Sequence, residues 1–298
     1  MIDFVGRRRI WYSLSLLTVV AAVVVGALWR LNPGIDFTGG SLLEVSYQET
    51  RPALTQIETG VAEAGVEHVQ IQPVGENGYI LKTPSITNDQ KGSLLAALPG
   101  ATEQSFQNVG PTIGAELARK AWWAIGAVLI AIVLFISYAF RQVSKGPVPA
   151  WVFGIAAIVA LAHDIWIVLG VFIVLGHFKG IEIDALFVTA LLTVLGFSVH
   201  DTIVVFDRIR ERLKLSSQKT FEEILNESIN ATLVRSIGTS FTTVLVLLAL
   251  YFFGGVSIHY FVLALIVGIV SGTYSSIFIA SPLLLTYSKF AARWKSRK

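Results

Sequence analysis

The stretch Gly196–Arg212, "GFSVHDTIVVFDRIRER", begins as an apolar helix and ends as a charged one. Asp201 falls while the run is still apolar, with Ile203, Val204, Val205 and Phe206 behind it. The rest of the chain places that carboxylate in a membrane. Of 298 residues, 54% are hydrophobic and 14% are charged, and the mean hydropathy of +0.67 is far above that of an ordinary soluble domain. A hydrocarbon core about 30 Å thick calls for roughly 20 apolar residues per helix, because lipid offers no partner to unpaired backbone groups.

Six stretches meet that test, at about Ile10–Leu31, Ala121–Phe140, Ala150–Leu175, Asp184–Phe206, Leu233–Phe253 and Tyr260–Leu284. The first has the basic start of a signal peptide, but its apolar body reaches Trp29, longer than a signal core, so a retained anchor is expected. The chain has no cysteine, hence no disulfide and no thiolate site.

Basic residues set the orientation. Arg7, Arg8 and Arg9 precede the first span, Arg141 and Lys145 follow the second, Arg208, Arg210, Arg212, Lys214 and Lys219 follow the fourth, and a basic tail over 285–298 follows the sixth. Six crossings put all of these on one side, which the positive-inside rule makes the cytoplasm. The sequence pI of about 9.1 is therefore a topology signal, and nucleic-acid binding is a poor explanation of it. The acceptor patterns at Asn226 and Asn230 fall on the same inner side and are discounted as glycosylation sites.

Residues 1–31 form the inner N-terminus and first span, residues 32–120 a folded domain outside the cytoplasm, and residues 121–284 the other five spans. In the domain, "SLLEVSYQ" alternates as a strand and "ALTQIETGVAEAG" reads as a helix closed by Gly65. "HVQIQPV" and "GYILKT" read as strands joined through "GENG"; the helix "NDQKGSLLAAL" and the strand "TEQSFQNV" follow. That β-α-β-β-α-β order predicts an α+β ferredoxin-like sandwich. The fold class is an α-helical polytopic membrane protein with this domain between its first two spans.

Charge inside a span is costly, so function is sought at His163 and Asp164 in the third span, His200 and Asp201 in the fourth, and Arg235 in the fifth. If the fourth span ends near Phe206, Asp201 lies about 7–8 Å inside at 1.5 Å per residue. Arg235 lies equally deep if its helix starts near Asn230, and Thr232, Thr239, Thr242 and Thr243 give it a polar face able to turn inward. The two are expected to meet, either as a fixed ion pair or as a proton-coupling site whose partner changes during a cycle.

For His163 with Asp164, packing is favoured over a direct proton relay. Asp207, Arg208, Arg210 and Glu211 read as a solvated face where the helix emerges, and Gly268 and Gly272 as a packing seam. No metal cluster, nucleophile triad or phosphate loop has the spacing it needs, so an enzyme reading has no residues to stand on and no cofactor is implied.

Four blocks carry a resemblance: "GIDFTGG" (34–40), "VGPTIGAEL" (109–117), "AHDIWIVLGVF" in the third span and "DTIVVFDRIRE" in the fourth. In this order they resemble the SecF subunits of the bacterial SecD/SecF protein-export family, which has the architecture of resistance-nodulation-division transporters. The resemblance covers nearly the whole chain.

It implies an accessory subunit of the Sec translocase that uses the proton-motive force late in export. Its partners would be SecD, the SecYEG channel, YajC, an unfolded exported polypeptide and the lipid bilayer of the inner membrane. Asp201 matches the family's membrane carboxylate, Arg235 its basic partner, and His163 and Asp164 its "HD" pair. Many members carry Asn or Tyr where this chain has His200, which either adds a titrating group or replaces a hydrogen bond. Two other readings are half of a small-molecule/proton antiporter and a non-conducting scaffold.

Overall fold

Apolar residues at the start of the chain wind into α1 (Arg8–Trp29). In a computed structural model, which describes residues 2–141, 147–215 and 218–296, the periodicity then changes. The elements that follow are α2 (Ile35–Thr38), β1 (Gly40–Tyr47), α3 (Leu54–Glu63), β2 (Gln70–Val74), β3 (Gly78–Thr83), α4 (Asn88–Ala96) and β4 (Ala101–Val109). The strands pair antiparallel in the order β2-β3-β1-β4, the β-α-β-β-α-β succession read from the sequence.

Alternation on β1 and β3 buries Leu43, Val45, Tyr79 and Leu81 against Ile57 and Val61 of α3 and Leu94 of α4. "GENG" forms the β2–β3 turn, with Gly75 at φ +57°. Thr87 and Gln90 close a capping box on α4.

The short helix α2 inside "GIDFTGG" was not signalled by periodicity. It ends on Gly39 at φ +77°, where a Cβ would stand 2.7 Å from Pro111 Cα. A Cβ on Gly114 would stand 2.9 Å from Gly39 N, so the blocks at 34–40 and 109–117 pack backbone to backbone. Residues 33–122 form one compact unit and the remainder another.

The chain continues through α5 (Pro111–Ala139), α6 (Ala150–Lys179), α7 (Ala185–Leu215), α8 (Phe221–Phe253), α9 (His259–Ser275), a π-helical turn at Ser276–Ala280, and α10 (Ser281–Lys295). With α9 to α10 counted as one, six helices of the described residues are long and apolar enough to cross a membrane. Several overrun their expected limits, and in two of them charged groups and a cap carry the backbone bonds past the apolar run. α7 continues beyond Phe206 on the pairs Arg210–Asp207 (2.6 Å) and Arg208–Glu211 (2.5 Å). α8 starts at Phe221 behind a Thr220–Glu223 capping box rather than near Asn230.

Basic groups from three segments converge at one end of this bundle. Glu222 binds Arg8 (3.4 Å) and Lys289 (2.6 Å), and Glu227 binds Lys219 (2.6 Å) and Arg212. At the same end Asn226 and Asn230 accept hydrogen bonds from the backbone N–H groups of Phe4 and Ile2.

The bundle interior divides into two apolar clusters. Phe140, Phe153, Phe206, Leu161, Leu195 and Ile277 belong to one; Val168, Phe172, Phe187, Val194 and Ile269 belong to the other. Gly268 and Gly272 bring α9 directly onto α7, and a Cβ on Gly272 would lie 2.8 Å from Ser198 Cβ. The expected seam is thus present.

Candidate functional site

Between the two clusters lies a polar layer, and α6 supplies its charge. Ala160 and Leu161 pack into the first cluster and Val168 into the second; Asp164 falls between them and is 0% exposed. Its Oδ2 accepts from Ser198 Oγ of α7 (2.7 Å) and Ser275 Oγ of α9 (2.8 Å). Its Oδ1 accepts from Ser271 Oγ of α9 (2.8 Å) and lies 3.1 Å from His163 Nδ1. A bare carboxylate could not survive in this interior, and four short contacts replace the water it has lost. The His163 ring stacks on Tyr274 at 5.8 Å between centroids. The Tyr274 hydroxyl donates to the Trp11 carbonyl (3.2 Å) and shares a hydrogen bond with Ser15 Oγ (3.0 Å) on α1.

The layer extends into the π-helical turn. Such a turn breaks the regular backbone ladder, and hydroxyls nearby bond its carbonyls. Ser276 Oγ donates to the Gly272 carbonyl (2.8 Å) and contacts Thr202 Oγ1 of α7 (2.9 Å), and Ser281 Oγ donates to the Ser276 carbonyl (3.0 Å).

Asp201, one turn beyond Ser198 on α7, is also buried at 3% exposed but is held differently. Thr273 Oγ1 of α9 (3.4 Å) and Ser240 Oγ of α8 (3.5 Å) both approach Oδ2, and the two hydroxyls lie 2.5 Å apart. Both contacts are long, and Oδ1 receives no hydrogen bond among the described residues.

The expected ion pair is not formed: among the described residues Asp201 makes no salt bridge with Arg235, whose side chain is exposed. The reason is the rotation of α8. Ser228, Thr232, Ser236 and Ser240 are buried at a spacing of four, so they make up the inward face. Arg235, Thr239 and Thr242 lie off that stripe and are exposed in this chain. Only Thr232 belongs to both the expected and the observed inward face. The serine spacing was present in the sequence, but Arg235 drew attention to the neighbouring stripe. Ser236, 1% exposed, has an Oγ without a hydrogen-bond partner among the described residues.

His200 is exposed and makes no hydrogen bond among the described residues. Along with Arg235 it is the charge-capable side chain acting electrostatically on Asp201. Asp207 and Glu211 are exposed and paired within their own helix, as a solvated face requires. Among the described residues no group of three or more His, Asp or Glu side chains could hold a metal.

Comparison with known proteins places this geometry. Residues 90–290 match the family model "Protein export membrane protein SecD/SecF, C-terminal", and residues 30–50 match the SecD/SecF GG motif. The chain is similar to a protein translocase subunit SecF of Thermobaculum terrenum, 43% identical over 96% of this chain and 94% of that one. It is also similar to one of Anaerolinea thermophila, 37% identical over 99% and 96%.

Among solved structures it resembles SecDF, a translocon-associated membrane protein from Thermus thermophilus, with a TM-score of 0.83 and 36% identity over 97% of this chain. It also resembles SecDF in its super-membrane-facing form, with a TM-score of 0.71 and 34% identity. The chain spans 39% and 40% of the length of those two solved chains. A family model over most of the chain and near full-length likeness to curated relatives lead to one conclusion: the chain belongs to the SecD/SecF family of protein-export membrane proteins.

Proposed function

We propose that the chain is a non-enzymatic accessory subunit of the Sec protein translocase, working with a SecD partner beside SecYEG and YajC. In this reading it lies in the cytoplasmic (inner) membrane with both termini inside and residues 32–120 outside, where they act on an unfolded polypeptide late in export. The convergence of Arg8, Arg212, Lys219 and Lys289 on one end of the bundle supports that orientation. Asp201 binds the proton whose passage drives the cycle.

The observation that carries this assignment is the contrast between a buried Asp201 with one unfilled oxygen and an Asp164 saturated by four contacts. A carboxylate with room on it can take and release a proton without dismantling its surroundings. Arg235 stands next to Ser236, so a turn of α8 by about 100° would bring the guanidinium towards the inward face. His200 shapes the field at Asp201, and His163 and Asp164 form the packed layer beside it. One elementary charge crossing 100 mV is worth about 2.3 kcal/mol, enough for a few protons to bias a mobile element.

The test is Asp201→Asn in proteoliposomes holding the complete complex. Loss of proton-dependent export with assembly intact is the expected result, and normal export by this variant would remove the proposal.

A further inference from the structure

Asp164 and Asp201 lie on opposite flanks of one helix seam. In the α7–α9 contact Gly268 lies against Val194 and Gly272 against Ser198. On α9, Ser271 and Ser275 lie one turn apart and both bind Asp164. Thr273, midway between them in sequence, lies about 160–200° away around the helix and reaches Asp201 on the other flank. On α7, Ser198 binds Asp164 and Asp201 follows one turn later. The seam itself is made by Gly268 and Gly272, which have no side chains to resist a rotation of α9 against α7. The hydrogen bonds to Asp164, together with the Thr202–Ser276 contact, link α7 to α9 and its π-helical continuation.

We infer that Asp164 is a positioning residue for the proton-binding site: through Ser198 it sets α7, and through Ser271 and Ser275 it sets the rotation of α9 that presents Thr273 to Asp201. This rests on the assignment of the proton to Asp201. Asp164 does not carry the proton itself. His163 completes its shell, and the Tyr274 ring, adjacent in sequence to Thr273, braces the arrangement against α1. The titratable groups acting on Asp201 are His200 on its own helix and Arg235 on α8, while α9 brings only the Thr273 hydroxyl. Asp164 faces His163.

The experiment measures the pH dependence of proton-driven export by the complete complex in proteoliposomes for Ser271→Ala/Ser275→Ala, Thr273→Val, the triple variant and Asp164→Asn. Removing the two serines should move the pH midpoint in the same sense as Thr273→Val. The triple variant should shift no further than Thr273→Val alone, because the serines act through that contact. A serine pair that slows export at an unchanged midpoint, or shifts that simply add, would overturn the inference.

Asp164→Asn should keep proton dependence at a displaced midpoint. If instead it abolishes proton dependence as fully as Asp201→Asn does, Asp164 is itself a carrier and the inference fails. Should Asp164→Asn not assemble, the serine and threonine variants decide alone. Normal export by Asp201→Asn, run alongside, would remove the underlying assignment instead.

Discussion

Two buried aspartates in the same bundle show two ways of keeping a carboxylate out of water. Asp164 has two contacts on each oxygen, drawn from its own neighbour and from two other helices. Asp201 has two long contacts on one oxygen and none on the other among the described residues. Burial alone does not distinguish them, since both side chains are all but inaccessible. What differs is the supply of donors: three hydroxyls and an imidazole at Asp164, two distant hydroxyls at Asp201. A saturated buried charge resists change because removing any donor strands its partner in a dry interior.

The largest expected effect lies on the saturated side. Asp164→Ala would leave three hydroxyls and an imidazole without their acceptor and should cost about 3–5 kcal/mol of stability. Asp201→Ala should cost only about 1 kcal/mol. Thermal unfolding of the two variants in detergent checks this, and equal losses would erase the contrast. Next comes the seam that keeps the two sites apart. Gly272→Val would push a side chain into Ser198 and should cost about 1–3 kcal/mol by overpacking. Gly92→Ala on α4, where a Cβ meets nothing within 4 Å, should gain about 0.5–1 kcal/mol.

Single hydroxyls sharpen the comparison on a finer scale. Ser198→Ala should cost about 1 kcal/mol, and Ser240→Ala, which loses a long contact to Asp201 and the contact with Thr273 Oγ1, should cost no more than that. The smallest effect is expected in the domain at 33–122, where a third buried polar group has no partner at all. The Tyr47 hydroxyl is buried and unbonded among the described residues, and burial, with Tyr79 nearby, holds this phenol above its usual range. Folding then favours the neutral phenol, so its contribution is intact below the unfolded value of about 10 and is lost as pH rises through the higher folded value. Tyr47→Phe should leave stability at neutral pH unchanged or slightly higher and lessen the alkaline loss, as read from urea unfolding at several pH values.

Much of the molecule was legible before any coordinates. The strand and helix order of the domain followed from alternation and from Gly65 and the glycines of "GENG", all of which are local signals. The seam at Gly268 and Gly272 was legible for the same reason, since only small residues permit such an approach. The ends of α7 and α8 were misjudged because hydropathy marks where lipid stops rather than where a helix does, and capping and ion pairs extended both. At the site, Asp201 was legible by its cost in an apolar run, while no salt bridge joins it to Arg235 among the described residues. Arg235 was chosen on charge and depth, and the serine stripe beside it went unread. Asp164 was legible as a charge within the third span, but its three serines come from segments 34 to 111 positions away in the chain.

By itself the sequence determined that this protein crosses a membrane on six helices, carries an α+β insertion after the first, and places carboxylates where lipid forbids them unless protein surrounds them. Hydropathy and periodicity decide those matters one segment at a time. Tertiary structure alone decided which face of α8 turns inward and which of two aspartates receives a full set of donors. Those outcomes depend on how each helix is rotated against its neighbours, a choice made by the packing of glycine, serine and aromatic residues far apart in the chain.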